Sequence, residues 1–152
     1  MFLNIENLIK FYSKDNPLIK DLNFSVNKGE FVSFIGESGS GKTTFLKCLA
    51  GLEKINSGKI TLNNRVLDDK TTFVKPNHRK IGFIFQDYPL FPHLSVLENL
   101  KINLDEQYEK NIKYYVELTG LDNLLNRYPH ELSGGEQQRV CITTVSYTHL
   151  TL

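Results

Sequence analysis

The sequence is poor in cysteine, and this scarcity excludes a fold held together by disulfides. Its 152 residues include two cysteines, Cys48 and Cys141. Two cysteines make no disulfide framework, and neither has neighbours at the spacing of a metal site. We therefore expect both to be reduced in a cytosolic protein, with Cys48 serving as a small buried hydrophobe on a helix. The length suits one domain with a sizeable core.

The sequence also lacks an excess of charge and any long hydrophobic run. It has 18 Lys and Arg against 17 Asp and Glu, a formal net charge of +1, so charge gives no reason to invoke nucleic acid or an anionic membrane surface. No apolar run approaches the roughly 18 residues of a membrane span, and residues 1–10 lack the basic and apolar regions of a signal peptide. Any link to a membrane is expected to be peripheral, through a partner.

One glycine-rich stretch lies between an apolar run and a helical pattern. It comprises Gly36, Glu37, Ser38, Gly39, Ser40, Gly41, Lys42 and Thr43. Residues 31–35 before it are expected to form a strand covered on both faces, and the pattern after it predicts a helix that Gly51 ends. The glycines allow phosphate oxygens to approach main-chain N–H groups at the positive end of that helix. The stretch therefore predicts a phosphate-binding loop.

Two side chains of this loop predict the chemistry of its ligand. Lys42 supplies a mobile ammonium for β- and γ-phosphates, and the Thr43 hydroxyl is the expected protein ligand of the Mg²⁺ that accompanies them. A glycine-rich turn with an incidental lysine is the alternative, and the flanking strand and helix argue against it. Nucleotide binding is the favoured interpretation.

The segments around the loop predict an antiparallel β region. Apolar residues from 3 to 11 suggest an opening strand, residues 14–17 a turn, and residues 22–26 an alternating strand that turns at 27–29. Another short strand is predicted at 59–62. Residues 68–80 are expected to be a polar loop that leads into a second buried strand at 81–85.

Three side chains have more than one interpretation. Tyr12 could stack on an adenine ring or be a half-buried strand residue. Gln86, at the end of predicted strand 81–85, could reach Mg²⁺ or its water, or be an ordinary surface turn residue. His93 could be a catalytic base, although a histidine between a proline and a leucine more simply packs or faces water.

The second half of the chain predicts helices. Residues 89–94 are unusually apolar for a loop and suggest a docking surface. Ser95 and Glu98 form a capping box for a helix over 96–100. A further helix that ends at Gly120, with a short one over 121–126 after it, is indicated by a core stripe at Tyr108, Ile112, Tyr115, Val116 and Thr119.

A second helix start has the features of an anion-binding site. Ser133 and Glu136 form another capping box, and Gly134 and Gly135 bare the first N–H groups of the helix. Because two such sites would be redundant for one phosphate chain, the second suggests a nucleotide held by another copy. An ordinary helix cap is the alternative.

Together these stretches resemble the nucleotide-binding subunit of ATP-binding cassette (ABC) transporters, in family order from about residue 3 to residue 142. Residues 36–43 resemble the Walker A loop, Gln86 the Q-loop glutamine, and residues 132–136 (Leu-Ser-Gly-Gly-Glu) the signature motif. Residues 85–93 look most like subunits of binding-protein-dependent importers. Tyr12 matches the adenine-stacking aromatic of the family, which favours stacking over the half-buried alternative.

The resemblance implies a fold and a set of site residues. The fold would be an α/β P-loop NTPase core with an antiparallel β subdomain and a helical subdomain from about Ser95 to Val140. The ligands would be ATP and Mg²⁺, with Lys42 and Gln86 catalytic and with Thr43 and Gln86 at the metal. The nucleotide would contact Tyr12, Gly36, Glu37, Ser38, Gly39, Ser40, Gly41, Lys42, Thr43, Thr44, Ser133, Gly134, Gly135 and Glu136.

The resemblance also implies partners. Two such domains, either a homodimer or paired ABC subunits, would hold each ATP between the Walker A loop of one and Ser133, Gly134 and Gly135 of the other. The surface around residues 88–94 would dock an integral membrane permease, and a substrate-binding protein would complete an importer. We thus expect a cytoplasmic ATPase, peripheral on the inner face of the plasma membrane, without a nucleic-acid partner.

The last ten residues depart from the family pattern. After residues 139–142 the family continues its helix and reaches an apolar strand that ends in the acidic pair of Walker B. Residues 143–152 have neither a helical pattern nor an acidic pair, and from residue 144 or 145 onward they resemble a translated sequencing-library transposon end and adapter. We expect residues 1–142 to be an incomplete ABC ATP-binding domain, truncated before the Walker B strand, and residues 143–152 to be a non-native tail. Such a chain should hydrolyse ATP poorly.

Other functions stay open on the sequence alone. A soluble ABC ATPase of DNA repair or translation is one, and the importer-like residues 85–93 argue against it. A P-loop kinase or GTPase is another, and the signature motif argues against it. A third is that the chain is a non-functional product.

Overall fold

A computed structural model of the chain describes residues 1–13, 16–102 and 109–149. It divides into two units, residues 1–81 and residues 82–152. The predicted turn at 14–17 lies partly outside the described residues, as does Tyr108 of the predicted core stripe.

The first unit contains an antiparallel sheet of four strands in the order β2-β1-β3-β4. The strands are β1 (Leu3–Ser13), β2 (Asn16–Val26), β3 (Ser57–Leu62) and β4 (Arg65–Asp68). β1 pairs with β2 through Leu3 opposite Val26, and with β3 through Leu3 opposite Leu62. The predicted opening strand, the strand at 22–26 and the strand at 59–62 are confirmed.

One helix, α1 (Lys42–Ala50), packs with this sheet. It ends where expected, at Gly51, whose φ of 77° is left-handed and whose N–H donates to Cys48 O at 3.2 Å. Cys48 is buried and unpaired, as predicted for a small hydrophobe. The core of this unit consists of Ile5, Leu8, Ile19, Phe45, Cys48, Ile55, Ile60 and Leu67.

The second unit is helical. It contains α2 (Val96–Lys101), α3 (Glu109–Thr119) and α4 (Gly134–His149), with 3-10 turns at Asp122–Leu124 and Pro129–Glu131. The predicted capping box at Ser95 and Glu98 is confirmed. The Ser95 hydroxyl accepts a hydrogen bond from the Glu98 N–H, and the Glu98 carboxylate accepts one from the Ser95 N–H. The helices share a core of Val96, Leu100, Val116, Leu121, Leu124, Leu132 and Val140.

Two predicted strands do not form. Residues 31–35 and 81–85 are irregular, and Phe31 and Ile35 are each 95% exposed. A buried strand takes its backbone hydrogen bonds from neighbouring strands, and neither segment pairs with another described segment. Phe34 nonetheless packs edge-on against Phe24 and Phe45, with ring centroids 5.3 and 5.1 Å apart. The aromatic contacts hold segment 31–35 against the first unit without any ladder.

The expected lack of helix in residues 143–149 is wrong, because α4 runs to His149. No glycine or proline interrupts the helix after Gly135. Three hydroxyls bond the carbonyls four residues earlier: Thr143 to Arg139 O at 2.8 Å, Thr144 to Val140 O at 2.9 Å and Ser146 to Ile142 O at 2.8 Å. These side chains satisfy their polar groups on the helix itself, so the modest propensity of β-branched residues does not end it.

Candidate nucleotide-binding site

The glycine loop turns into α1 through two left-handed residues. Gly39 has a φ of 80° and Gly41, which precedes the helix, a φ of 91°. A Cβ on Gly41 would also lie 3.2 Å from Leu18 Cγ and 3.3 Å from Ile19 Cγ1 of β2. Gly41 is therefore required both for the backbone turn and for the close approach of the loop to the sheet.

The ammonium of Lys42 lies inside the loop. Its Nζ donates to Gly36 O at 2.7 Å, to Glu37 O at 2.6 Å and to Ser40 Oγ at 3.2 Å. These three contacts fix a positive charge within the ring of main chain formed by residues 36–42. Because the contacts are to neutral oxygens, an anionic oxygen that entered the loop would make a stronger partner for the ammonium.

The start of α1 is open to an anion. No side chain of the described residues caps it, and no acidic residue lies in its first turn. The first N–H groups of a helix have no partner within the helix, and they carry its partial positive charge. Thr43 is exposed at this end, and a concavity of about 380 Å³ adjoins the loop, lined by Gly36, Gly41 and Lys42 among others.

These features fit a nucleoside triphosphate with its metal. The uncapped N–H groups and Lys42 suit phosphate oxygens, and the Thr43 hydroxyl suits one coordination position of Mg²⁺. No group of three or more His, Cys, Asp or Glu able to hold a metal occurs in the described part of the chain. Mg²⁺ is commonly bound by few protein ligands and by substrate oxygens, and the single Thr43 hydroxyl fits that pattern.

Tyr12 lies beside this loop and is not half-buried. It is 68% exposed, at the end of β1. Its hydroxyl donates to Glu53 Oε2 at 2.7 Å and lies 3.4 Å from Oγ1 of Thr44 on α1. The hydrogen bond with Thr44 lowers the pKa of Tyr12, but the hydrogen bond and charge of Glu53, together with burial, raise it overall. The structure therefore brings Tyr12 and the helix of the phosphate loop together.

The second predicted helix start is present in the other unit. Ser133 N–H and Oγ each lie 2.7 Å from Glu136 Oε2, and Glu136 N–H donates to Ser133 Oγ at 3.4 Å. The hydrogen bonds from Ser133 lower the pKa of Glu136. A Cβ on Gly134 or Gly135 would meet nothing within 4 Å, so this face of α4 is open. The capping box is confirmed, while an anion at this helix start stays a prediction.

Gln86 lies in an exposed turn of the second unit. Tyr88 N–H donates to Phe85 O at 3.3 Å across this turn. The expectation that Gln86 ends a strand is wrong, because residues 81–85 form none. Its side chain has the exposure of a surface residue, and a role at the metal stays a prediction.

Sequence reasoning missed a buried charge at the C-terminal end of α1. Arg79 is 2% exposed, within the segment predicted to be a polar loop. Its guanidinium donates to Cys48 O at 2.7 Å and Leu49 O at 2.9 Å, the last carbonyls of α1, and it pairs with Asp68 at 3.6 Å. Arginine is rarely fully buried unless it is paired, and no local pattern marks its partners. Gly51 was interpreted only as the end of the helix, and the structure shows that a Cβ there would also overlap the Arg79 guanidinium.

A glycine loop that carries a lysine and enters an uncapped helix is the arrangement of P-loop nucleotide-binding proteins. Comparison with known proteins defines the family. The profile of the ABC transporter family matches residues 19–152. The chain belongs to this family. No helix in its described part is both long and apolar enough to cross a lipid bilayer.

Individual relatives agree with this assignment. The glutamine transport ATP-binding protein of Bacillus subtilis is 38% identical over 147 residues, which cover 92% of this chain and 60% of that protein. The maltose/maltodextrin import ATP-binding protein of Vibrio vulnificus is 38% identical over 146 residues, 92% of this chain and 38% of that protein. The chain thus spans between about two-fifths and three-fifths of these relatives' length.

Solved structures show the same cassette fold. A dimeric structure of a bacterial ABC transporter cassette matches with a TM-score of 0.81 at 29% identity, covering 96% of this chain and 69% of that one. A dimeric post-hydrolysis state of an ATP-binding cassette, bound to ADP and Pi, matches with the same TM-score at 28% identity over the same shares. The antiparallel β subdomain and the helices are those of an ABC ATPase cassette.

Proposed function

We propose that the chain is part of the ATP-binding subunit of an ABC importer, which couples binding and hydrolysis of ATP to solute transport through a membrane permease. The observation that carries this proposal is the Lys42 ammonium held inside a glycine loop at an uncapped helix start. Family membership and relatives named for glutamine and maltodextrin transport support the transport role. Those relatives are named for two different cargoes, glutamine and maltose/maltodextrin.

We assign each residue of the site a separate role. Main-chain N–H groups of residues 36–44 and the Lys42 ammonium would bind the triphosphate, and Tyr12 would stack on the base. The Thr43 hydroxyl would hold Mg²⁺, which supplies charge neutralisation to phosphoryl transfer. Gln86 would contact the metal or its water. Ser133, Gly134, Gly135 and Glu136 would contact a nucleotide held by a second copy or a paired subunit.

A second cassette is part of this proposal because the helix start at Ser133, Gly134 and Gly135 would be a second anion site, which is redundant for one phosphate chain. Two solved structures of one related cassette are dimeric, which supports pairing. ATP can drive closure only through the extra contacts that it gains in the paired state. ATP-dependent association, measured by sedimentation of the full-length gene product, tests this step, and a chain that stays monomeric at saturating ATP would refute it.

The apolar surface at residues 89–94 supports a permease partner. Phe91 is 49% exposed, and its ring lies 6.1 Å from that of His93. His93 therefore sits with an exposed aromatic, which supports packing over a role as catalytic base. Co-purification of the gene product with a membrane protein encoded beside it tests the partner. A gene product that instead co-purifies with nucleic acid or ribosomes would favour the soluble alternative.

We further propose that the 152-residue chain hydrolyses ATP poorly and that residues 143–152 are not native. No acidic residue follows Glu136 in the sequence, so the pair that positions water and metal in the family has no counterpart after the signature motif. The helix that includes residues 143–149 does not bear on their origin, since many sequences extend a helix once it is started. Genomic DNA read across codon 144 decides the matter: native coding sequence through Leu152 followed by a stop would overturn it.

A further inference from the structure

Three polar groups contact the Tyr12 side chain. Its hydroxyl donates to Glu53 Oε2 at 2.7 Å and lies 3.4 Å from Thr44 Oγ1. The ammonium of Lys10 lies 4.9 Å from the centroid of the ring. A tyrosine that only covered the sheet edge would need none of these contacts, so the arrangement restricts the rotation of an otherwise exposed side chain.

Lys10 and Glu53 are themselves fixed. Their charged groups lie 3.2 Å apart, with side chains only 11% and 21% exposed, and Lys10 Nζ also donates to Lys54 O at 2.9 Å. Burial would raise the pKa of Glu53, but the hydrogen bonds from Tyr12 and Lys10 and the charges of Lys10 and Lys47 lower it. Glu53 is thus a carboxylate at neutral pH, and it accepts a charge-assisted hydrogen bond from the tyrosine.

The arrangement leaves one face of the ring for a ligand. A cation attracted to an aromatic ring sits over its face, so Lys10 occupies one face of Tyr12. The residue is still 68% exposed, which leaves the opposite face open. The hydroxyl contact with Thr44 then sets that open face at a fixed position relative to the start of α1, two residues after Lys42.

We propose that Glu53 and Lys10 are positioning residues for the purine base: they orient Tyr12 so that a base stacks on its free face while the triphosphate enters the loop. This inference rests on the proposed function, because it assumes that the loop binds ATP. It assigns base recognition to a charged pair outside the phosphate loop, and it separates the residues that hold the base from those that hold the phosphates.

The test compares a nucleotide with a ligand that has no base. Calorimetry measures the affinity of the purified chain for Mg-ATP and for Mg-tripolyphosphate. Glu53→Gln keeps the shape of the side chain but makes the hydrogen bond from Tyr12 neutral and leaves Lys10 without its counter-charge. We expect about a fivefold weaker affinity for ATP, the factor that separates a charged from a neutral hydrogen bond. Affinity for tripolyphosphate should stay unchanged.

Two further variants sharpen the test. Tyr12→Phe keeps the ring but removes the hydroxyl with its contacts to Glu53 and Thr44, so it should weaken ATP binding at least as much as Glu53→Gln does. The double variant should lose little more than Tyr12→Phe alone, because both changes act on the contact between Tyr12 and Glu53. Glu117→Gln is the matched control, an exposed carboxylate 3.9 Å from Lys113 on α3, and should leave both affinities unchanged.

Each outcome decides between the two proposals. If the wild-type chain binds neither ligand, the proposed function fails. If it binds both and Glu53→Gln leaves ATP within twofold of wild type, or weakens ATP and tripolyphosphate equally, the positioning role is wrong while the phosphate site stands. A loss confined to ATP supports the positioning role.

Discussion

Replacement of Arg79 by methionine should destabilise the first unit strongly, because it removes the only described counter-charge in contact with a buried carboxylate. The Arg79 and Asp68 side chains are fully buried and 3.6 Å apart. Asp68 would keep one hydrogen bond, from Ile55 N–H at 3.2 Å, while its Oδ1 has no hydrogen-bond partner among the described residues. The end of α1 would also lose the donors that now reach Cys48 O and Leu49 O.

The size of the effect follows from the pair. Removal of one member of a buried ion pair costs about 3–5 kcal/mol, since the other charge stays buried without compensation. That is a large fraction of the roughly 5–15 kcal/mol by which domains are stable. Addition of Asp68→Asn to Arg79→Met should recover more than about 1 kcal/mol, because a neutral amide needs no counter-charge.

The same pair gives the effect a pH dependence. Burial raises the pKa of Asp68, and the charge of Arg79 opposes that rise. Without Arg79 the folded-state pKa should lie still higher, above that of the unfolded chain. A raised carboxyl pKa favours the folded state at low pH, where the group is protonated, and this contribution is lost as pH rises. The deficit of Arg79→Met should therefore be smaller at pH 5 than at pH 8.

Urea titration followed by tyrosine fluorescence measures these free energies of unfolding, since the chain has seven Tyr and no Trp. Arg65→Met is the matched control: Arg65 is exposed, with one described hydrogen bond, to His78 O at 3.1 Å, so its loss should stay below about 1 kcal/mol. If the free energy of unfolding of Arg79→Met lies within about 1 kcal/mol of that of wild type, or if adding Asp68→Asn does not raise it, the proposed role of this pair is wrong.

Three smaller predictions concern single residues. Ser133→Ala should lower the free energy of unfolding of the helical unit by about 1 kcal/mol, because it removes the cap. The hydrogen bonds from Ser133 lower the pKa of Glu136, so in a denaturation series the difference from wild type should shrink below pH 4.5. An unchanged difference at low pH would contradict this. Gly51 has a left-handed φ of 77°, and a Cβ there would overlap Arg79, whereas Gly120 has a φ of 64° and open space around it. The urea midpoint of unfolding should therefore fall by more in Gly51→Ala than in Gly120→Ala. Burial raises the pKa of Cys48 to about 11, so mass spectrometry after iodoacetamide at pH 8 should find Cys48 alkylated only under denaturing conditions, and rapid labelling of the folded chain would count against its burial.

Much of the fold could be predicted because its signals are local. The capping boxes at Ser95 and Ser133, the end of α1 at Gly51 and the alternation in β1 and β2 each depend on residues a few positions apart. The phosphate loop is local in the same way, since its glycines, its lysine and its helix are contiguous. Side chains that act within one turn can be interpreted without knowledge of the rest of the chain.

The failures depend on distant partners. Residues 31–35 and 81–85 have the composition of buried strands, but a strand forms only where another strand supplies hydrogen bonds, and no described segment does so. Arg79 lies in a polar stretch, and its burial depends on Asp68, eleven positions earlier, and on the α1 carbonyls of Leu49 and Cys48, 30 and 31 positions earlier. Tyr12 was expected to be half-buried if it did not bind a base, and its exposure depends on where Glu53 and Thr44 lie in the fold.

Calorimetric titration of the purified chain with Mg-ATP tests most directly whether the loop around Lys42 binds a triphosphate. Wild type should bind, Lys42→Ala should lose most of its affinity, and Lys28→Ala, which removes an exposed lysine from the turn after β2, should bind as wild type does. Equal affinity in Lys42→Ala and wild type would contradict the assignment of this loop as the triphosphate site.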